Sequence, residues 1–345
     1  MEKVKNKKVL LGLSGGVDSS VSAYLLSKSG YDVIGVTLKL HQIEISQDAS
    51  KVADKLGIPY QIINMEADFK KYVIDYFIQE YNSARTPNPC TICNRYIKFE
   101  GLIEKAKELH IDFVATGHYA NIEKIDSKYL LKKAKDLTKD QSYFLYNLTQ
   151  EQLSKTIFPL GNLTKKEVRD IAQKIGLKVA TKPDSQEICF IKDNNYKNFL
   201  AKNSRNKPVP GEFISTDGEV IGEHKGISNY TIGQRRALGI VTGSPMFVVD
   251  IIKETNQIVL GNESELLSKE LIAKKLNWIS IDTLDKEINA NVKIRYRAKE
   301  SNAKLIPLDN GDVKIVFETP QRAITKGQSV VFYDKDVVIG GGIIS

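Results

Sequence analysis

Two sets of residues in this sequence could carry covalent chemistry. The first is the run Val9-Leu10-Leu11-Gly12-Leu13-Ser14-Gly15-Gly16-Val17-Asp18-Ser19-Ser20, in which a short apolar strand empties into a glycine and serine turn followed at once by helix-forming residues. Glycine lets the backbone approach an anion, the free N–H groups at the start of the following helix point at it, and the helix dipole adds partial positive charge. That is the construction of a phosphate cradle. It is not a Walker A loop, because no Lys follows the glycines and the G-x-x-x-x-G-K-[ST] pattern fails. Asp18 either helps to place a metal on the phosphates or simply answers the helix dipole from the first turn.

The second set is the three cysteines. Cys90 and Cys93 lie in Arg85-Thr86-Pro87-Asn88-Pro89-Cys90-Thr91-Ile92-Cys93-Asn94, a proline-restricted loop that ends where a helix is expected. Cys93 then stands near a helix N-terminus, where the dipole favours thiolate over thiol. Cys189 follows Lys182-Pro183-Asp184-Ser185-Gln186-Glu187-Ile188 and precedes the apolar Phe190-Ile191. Three readings stand together. The thiols could bind zinc with a histidine, although a lone C-x-x-C lacks its matching second half. They could be inert buried thiols. Or they could carry sulfur, attacking a substrate that the phosphate loop has activated with ATP.

The elements that must position these residues alternate between β and α. Apolar runs predict strands near 8–13, 32–38 and 59–64, with helices near 19–29 and 48–57 between them. Two amphipathic helices follow near 68–82 and 94–109, then the strand Phe113-Val114-Ala115-Thr116. Such alternation implies a parallel sheet covered on both faces, with ligands at the carboxyl ends of its strands. Ser14–Ser19 and Thr116-Gly117-His118-Tyr119 both sit at such ends and can face one site. Thr164-Lys165-Lys166-Glu167 is a capping box ahead of Val168, Ile171, Ala172 and Ile175, and Gly176 ends that helix. Past about residue 207 short β-rich segments alternate with turns at Thr216-Asp217-Gly218, Asn256-Gln257 and Asn310-Gly311-Asp312, the texture of small barrel-type domains. Pro208-Val209-Pro210-Gly211 marks the change.

Composition bounds the partners. At 345 residues, 41% hydrophobic and 27% charged, the chain has the make-up of a soluble globular protein, which sets aside disordered and fibrous readings. Lys plus Arg exceed Asp plus Glu by 50 − 42 = 8, and a pI near 9.0 in a nucleotide-binding chain suggests nucleic acid as a second partner. The apolar run before Ser14 is too short for a signal-peptide core, and no stretch approaches the roughly 18 apolar residues of a membrane span, so no membrane partner and a cytoplasmic location are expected. Three cysteines, an odd number in a long chain, argue against a disulfide framework as the use of these thiols.

With these residues in hand, the S-G-G-x-D-S pattern resembles the pyrophosphate loop of ATP pyrophosphatases, and the whole chain resembles the bacterial tRNA-uridine 2-thiolase family. The resemblance runs nearly end to end: Gly12–Ser20, the R-T-P-N-P-x-x-x-C-N-x-x-I-K-F block of Arg85–Phe99, A-T-G-H-Y at Ala115–Tyr119, and K-D-Q-S-Y-F-L at Lys139–Leu145. It continues through D-S-x-x-I-C-F-I at Asp184–Ile191, G-x-H-x-G and G-Q-R-x-x-L-G within Gly222–Gly239, Arg295-Tyr296-Arg297 and the terminal Gly340-Gly341-Gly342-Ile343-Ile344. It implies an α/β fold: an N-terminal parallel-sheet ATP-pyrophosphatase domain over 1–207, a small central β-rich domain over 208–268 and a C-terminal β-barrel over 269–345 that contacts tRNA.

The resemblance also assigns roles. Gly12, Leu13, Ser14, Gly15, Gly16, Val17, Asp18 and Ser19 would hold the ATP phosphates, with Mg²⁺, while Leu38 and Gly117 would contact the adenosine. Asn88, Pro89 and Cys90 would lie against the target base. Cys93 would be the nucleophile and Cys189 the persulfide carrier. Lys139, Asp140, Gln141, Arg295 and Tyr296 would touch the anticodon loop and stem of the tRNA. Many relatives have Asp where this chain has Cys90, and the segment between Leu40 and Ala53 is shorter than in some of them.

The implied chemistry is physically coherent. The C2 oxygen of uracil is a poor leaving group; attack by that oxygen on the α-phosphorus of ATP makes it an adenylate, and the loop with Mg²⁺ stabilises the departing pyrophosphate. The persulfide sulfur then attacks C2 directly, or Cys93 releases it as sulfide, leaving a Cys93–Cys189 disulfide that a reductant resets. The persulfide comes from a donor protein, a cysteine desulfurase or a sulfur relay protein. Because a loop base must be flipped out, a basic face is expected: Lys293, Arg295, Arg297 and Lys299 alternate along one predicted strand face, with Val292, Ile294 and Tyr296 opposite. Gln234-Arg235-Arg236 and His224-Lys225 offer further phosphate contacts. His118 could meet ATP or base, and Lys182-Pro183-Asp184 could shape a movable loop carrying Cys189. The alternatives are a 4-thiouridine synthase, an amidotransferase synthetase, or a tRNA-binding relative without catalysis.

Overall fold

The computed structural model describes residues 7–41, 47–181, 188–191, 195–240 and 244–345. Its first part is the expected parallel sheet. Strands β1 (Lys8–Gly12), β2 (Asp32–Lys39), β3 (Tyr60–Asn64) and β4 (Phe113–Ala115) are joined, after the hairpin β5 (Asn121–Ile125) and β6 (Lys128–Lys132), by the short β7 (Thr156–Ile157). The order is β3-β2-β1-β4-β7, every pairing parallel. Successive residues of β1 serve opposite faces: Val9 and Leu11 join one fully buried cluster with Val21, Leu26 and Val168, whereas Leu10 joins another with Phe99, Leu102 and Val114. That strict alternation, apolar on both sides, is why β1 must be central and covered by helices above and below.

The helices start and stop where local chemistry dictates. Val17–Lys28 begins on the loop glycines, and Asp48–Leu56 ends at Gly57, which is left-handed at φ 65°. Lys165–Lys174 opens with the full capping box, the Thr164 hydroxyl accepting from the Glu167 N–H and the Glu167 carboxylate accepting from the Thr164 N–H. The two expected amphipathic helices appear as helical runs over 66–82 and 89–108, each with a wider-wound turn inside it, at Lys70–Ile74 and Asn94–Phe99. Such widened turns gather at functional sites.

The β-rich part resolves into two sheets. Gly211–Ser215, Val220–His224, Phe247–Ile252 and Gln257–Gly261 form a four-stranded sheet. Six further strands, Leu267–Trp278, Ile288–Lys293, Ser301–Pro307, Val313–Arg322, Ser329–Asp334 and Val337–Ile344, close into a barrel by pairing of the first with the last. The three predicted turns each connect neighbouring strands, with Gly218, Asn256 and Gly311 at positive φ. The β5–β6 hairpin leaves the N-terminal part and extends the barrel's sheet through Lys132 opposite Val337.

One expectation fails here. The basic strand ends at Lys293, and residues 294–298 form a bend and turn closed by the Ala298 N–H on the Arg295 carbonyl. Alternation of sequence was not enough because these residues have no neighbouring strand to pair with. The four cations therefore do not share one strand face: Lys293 lies over the rings of Tyr143 and Tyr296, and Arg295 donates to the Arg322 carbonyl.

Candidate active site

The glycine loop is braced by its own serine hydroxyls. Ser19 Oγ accepts from the Ser14 N–H at 3.2 Å and donates to the Gly16 carbonyl, as does Ser20 Oγ at 2.8 Å. Gly15 is left-handed at φ 75°, and a Cβ there would stand 2.8 Å from the Ala49 nitrogen, so only glycine lets the loop close on the Asp48–Leu56 helix. Gly117, just beyond β4, would by the same measure press within 2.8 Å of the Ser19 nitrogen. The structure thus brings Gly117 and the loop together at the carboxyl ends of β1 and β4. Leu13 and Val17 are core residues, so they offer only backbone to a ligand, whereas Ser14 is exposed and Leu38 partly so.

Asp18 has partners that the sequence did not reveal. Lys165 Nζ sits 2.8 Å from both of its carboxylate oxygens, and the Tyr119 hydroxyl donates to one of them at 2.8 Å. The spacing of 147 residues explains the silence; the one available signal was the capping box that fixes Lys165 as the first residue of its helix.

The cysteines converge from two segments. Asn88 caps the Pro89–Cys93 helix by accepting from the Cys90 N–H, and Cys93 ends that first turn buried at 6% exposure. Cys93 shares an apolar cluster with Phe69, Phe77, Phe190 and Ile191, and Leu40, just past the end of β2, packs on it. Phe190 and Ile191 follow Cys189 directly, so the cluster carries both thiol segments. All three cysteines are free, with Cys90 and Cys189 exposed. The expected thiolate at Cys93 is overturned: burial pushes its thiol up to about 12, more than the nearby Lys98 ammonium offsets. The dipole expectation failed because Cys93 lies inside a continuing helical run, past its unpaired N–H groups, and in an apolar cluster. Lys98 also pulls Cys90 and Cys189 downward against the desolvation that raises them, so one cation is within electrostatic reach of all three thiols. Among the described residues no group of three or more His, Cys, Asp or Glu is placed to hold a metal, so the zinc reading finds no geometry.

His118 lies at the same edge. Its Nδ1 is 2.8 Å from Thr116 Oγ1, its ring packs near Phe99 and Phe158, and burial with Lys98 holds it neutral.

The barrel grips this site from behind. The Lys326 carbonyl accepts from the Thr86 N–H at 2.8 Å, Gln328 Nε2 donates to the Thr86 carbonyl at 2.9 Å, and Arg85 Nη2 donates to the Ile344 carbonyl. Tyr296 rests on Phe144 with ring centroids 4.4 Å apart, and the Phe144 carbonyl accepts from Asn94 Nδ2, next to Cys93. The predicted RNA-contact segments thus divide. Asn88, Cys90 and Tyr296 reach the cysteine helix, and Pro89 is buried in it. Asp140 is 7% exposed, and its carboxylate accepts from the Ala134 and Ser142 N–H groups and the Ser142 hydroxyl, so its charge is spent inside the protein. Gln141 accepts from the Tyr119 N–H, and Lys139 lies beside it on the turn after Asp136. His224 is also internal, with Nδ1 accepting from the Gly226 N–H and Nε2 near the Asn256 carbonyl, while Arg235 and Arg236 are exposed. Lys182-Pro183-Asp184 lies outside the described residues.

Comparison with known proteins adds the following. Residues 7–193 match a family described as tRNA methyl transferase HUP domain, 197–262 one described as tRNA methyl transferase PRC-barrel domain, and 268–344 one described as aminomethyltransferase beta-barrel domain. The chain is 54% identical to the tRNA-specific 2-thiouridylase MnmA of Clostridioides difficile, covering 98% of each chain. It is 51% identical to the protein of that name from Acetivibrio thermocellus, covering 99% of this chain and 100% of the other. Among solved structures, NMN synthetase from Francisella tularensis overlays 51% of this chain and 66% of its own, at 18% identity and a TM-score of 0.34.

Proposed function

Because the chain belongs to the tRNA-specific 2-thiouridylase family, we propose how its own residues carry out that family's reaction. The protein is an ATP-dependent tRNA sulfurtransferase that installs sulfur at C2 of a uridine. Two of the domain descriptions speak of methyl transfer, but a phosphate loop beside paired thiols serves thiolation. We assign catalysis to residues 1–207, with the central part over 208–268 and the barrel over 269–345 holding the anticodon loop and stem, and the wobble uridine as target.

In this reading the Gly12–Ser19 loop cradles the triphosphate at the start of the Val17–Lys28 helix, and Gly117 and Leu38 flank the adenosine. Mg²⁺ fits a site of this kind, since it is usually held by one or two carboxylates plus phosphates, and Asp18 is the carboxylate of the loop; when bound it neutralises charge on the leaving pyrophosphate. The uracil O2 attacks the α-phosphorus, forming the P–O bond as pyrophosphate leaves. The terminal sulfur of a Cys189 persulfide adds to C2, and AMP departs with the former O2. Cys93 then attacks the Cys189 sulfur; the S–S bond to the base breaks, leaving the C2 thione and a Cys93–Cys189 disulfide, which an external dithiol reduces. The exposure of Cys189 suits loading by a persulfide-carrying donor protein. Among the described residues no helix is long and apolar enough to cross a membrane, and we place the enzyme with its tRNA in the cytoplasm.

The observation that carries this reading is the shared apolar cluster of Cys93, Phe190 and Ile191 beside the end of β2, which joins both thiol segments to the nucleotide side of the sheet. The test is in vitro thiolation of unmodified tRNA with ATP and a persulfide donor, followed by nucleoside mass spectrometry. Formation of 2-thiouridine with AMP and pyrophosphate in equal amounts supports it; sulfur transfer without ATP consumption overturns it.

A further inference from the structure

We propose that Lys165 is the phosphate-binding cation of the glycine loop, parked on Asp18 in the ligand-free protein and exchanging that carboxylate for a phosphate oxygen when ATP enters. The inference rests on the reading of Gly12–Ser19 as the ATP site and adds to it a residue from a distant helix. The loop lacks the lysine that a Walker A sequence carries within itself, so a phosphate-binding ammonium must be brought from elsewhere. Among the described residues Lys165 is the one Lys or Arg that is buried, at 8% exposure. Burying an ammonium costs several kcal/mol in general and is tolerated where an anion compensates it. Here the anion stands in the loop itself, in the first turn of the Val17–Lys28 helix.

The helix that carries Lys165 is fixed at its first residue. The Thr164 capping box closes it, and the Lys165 N–H donates to Asp136 at 2.9 Å, so the ammonium is delivered to the loop by a rigid start. Asp18 does not depend on Lys165 alone, because the Tyr119 hydroxyl also donates to it and the helix N-terminus favours its charge. The pair can therefore open without stranding the carboxylate. A lysine, a compact charge on a flexible stem, suits that exchange.

A merely structural tie between the two helices makes a different prediction, and the two partners of the pair separate the cases. ATP binding is measured by calorimetry on the full-length protein, without tRNA and with EDTA in place of Mg²⁺, and melting temperatures are recorded in parallel. Lys165→Gln is expected to weaken metal-free ATP binding by about tenfold or more, the scale of one hydrogen bond to a charged group, while Lys165→Arg stays close to wild type. Asp18→Asn is expected to bind metal-free ATP as tightly as wild type or more tightly, because it removes an anion from an anion site and weakens the tie that holds the cation on Asp18. Should Lys165→Gln fail to fold, Asp18→Asn decides alone: weakened binding overturns the proposal. Equal loss of stability in both variants with no change in affinity overturns it too. A wild-type protein that binds no ATP with or without Mg²⁺ would instead overturn the reading of the loop, and the inference with it.

Discussion

The resting state of Cys93 sets the sharpest test of the site. Burial moves its thiol from an ordinary value of 9.0 to about 12, so at pH 7.5 its thiolate is about a thousandfold scarcer than that of an unshifted cysteine. Cys90 and Cys189 are shifted the same way but are exposed. The ligand-free protein should be treated with iodoacetamide at pH 7.5, quenched over time and digested, with fragment ions separating Cys90 from Cys93 on their shared peptide. Cys189 and Cys90 are expected to label first, with Cys93 trailing by at least about a hundredfold, since alkylation follows the thiolate. Its labelling should keep rising from pH 9 to 11, where an ordinary thiol levels off. The sign of the linked stability follows: the folded value lies above the unfolded one, so the contribution is complete below about pH 9 and is lost as pH climbs towards 12. Cys93→Ala should therefore lose less stability than wild type between pH 9 and 11. Labelling of Cys93 as fast as Cys189 at pH 7.5 would refute the buried, protonated nucleophile and restore the helix-dipole expectation.

Three further outcomes are expected. Cys189→Ser should abolish 2-thiouridine formation while leaving tRNA affinity unchanged, because a hydroxyl of nearly the same size cannot hold a persulfide; comparable product from a persulfide donor would remove Cys189 from its role. Gly327→Ala, at φ 92° and with its Cβ 2.9 Å from the Thr86 nitrogen, should cost about 1–3 kcal/mol and lower thiolation kcat without changing ATP binding, as read by melting and steady-state kinetics; unchanged kcat would show that the barrel does not position the cysteine loop. Arg297→Gln should reduce the log–log salt slope of tRNA binding by at most about 0.9, nearer 0.7 on a single strand, whereas Arg295→Gln, whose partner is the Arg322 carbonyl, should act mainly on stability; titration of labelled tRNA at several salt concentrations separates them.

The parts of the molecule legible in the sequence are those set by local pattern. Val9-Leu10-Leu11 had to be a central strand because three successive apolar residues need cover on both sides, and Thr164 to Glu167 had to open a helix because the capping box satisfies its own N–H groups. The illegible parts depend on what packs against a residue from far along the chain. Arg295 and Arg297 had the right alternation for a strand but no partner strand. Cys93 stood close to an expected helix start, but the helix begins four residues earlier, at Pro89, and Phe190 and Ile191, about a hundred residues later, dry its surroundings. Asp140 looked available for RNA until Ala134 and Ser142 claimed its carboxylate.

These long-range contacts also explain why the chain carries a barrel that holds none of the proposed chemistry. The Arg85–Asn88 loop aims the cysteine helix, and on its own it would be a short segment with Pro87 inside it and Pro89 after it. The barrel fixes it at three points, through Lys326, Gln328 and Ile344, and the Tyr296 turn reaches the same helix by way of Phe144 and Asn94. Each terminal glycine contributes by absence: a Cβ on Gly341 would stand 2.6 Å from the Tyr146 ring, and the Tyr146 hydroxyl donates to the Gly342 carbonyl. Gly341 thus lets the last strand lie close against Tyr146, while a Cβ on Gly340 or Gly342 would press on the Leu267–Trp278 strand, at the Asn277 and Lys274 carbonyls. Under the proposed role of the barrel in holding RNA, substrate binding would bear on the same contacts that orient Cys93. A thiol kept protonated and buried until its base arrives would gain from that arrangement, because the contacts that hold the cysteine helix in place would be the ones the proposed RNA bears on.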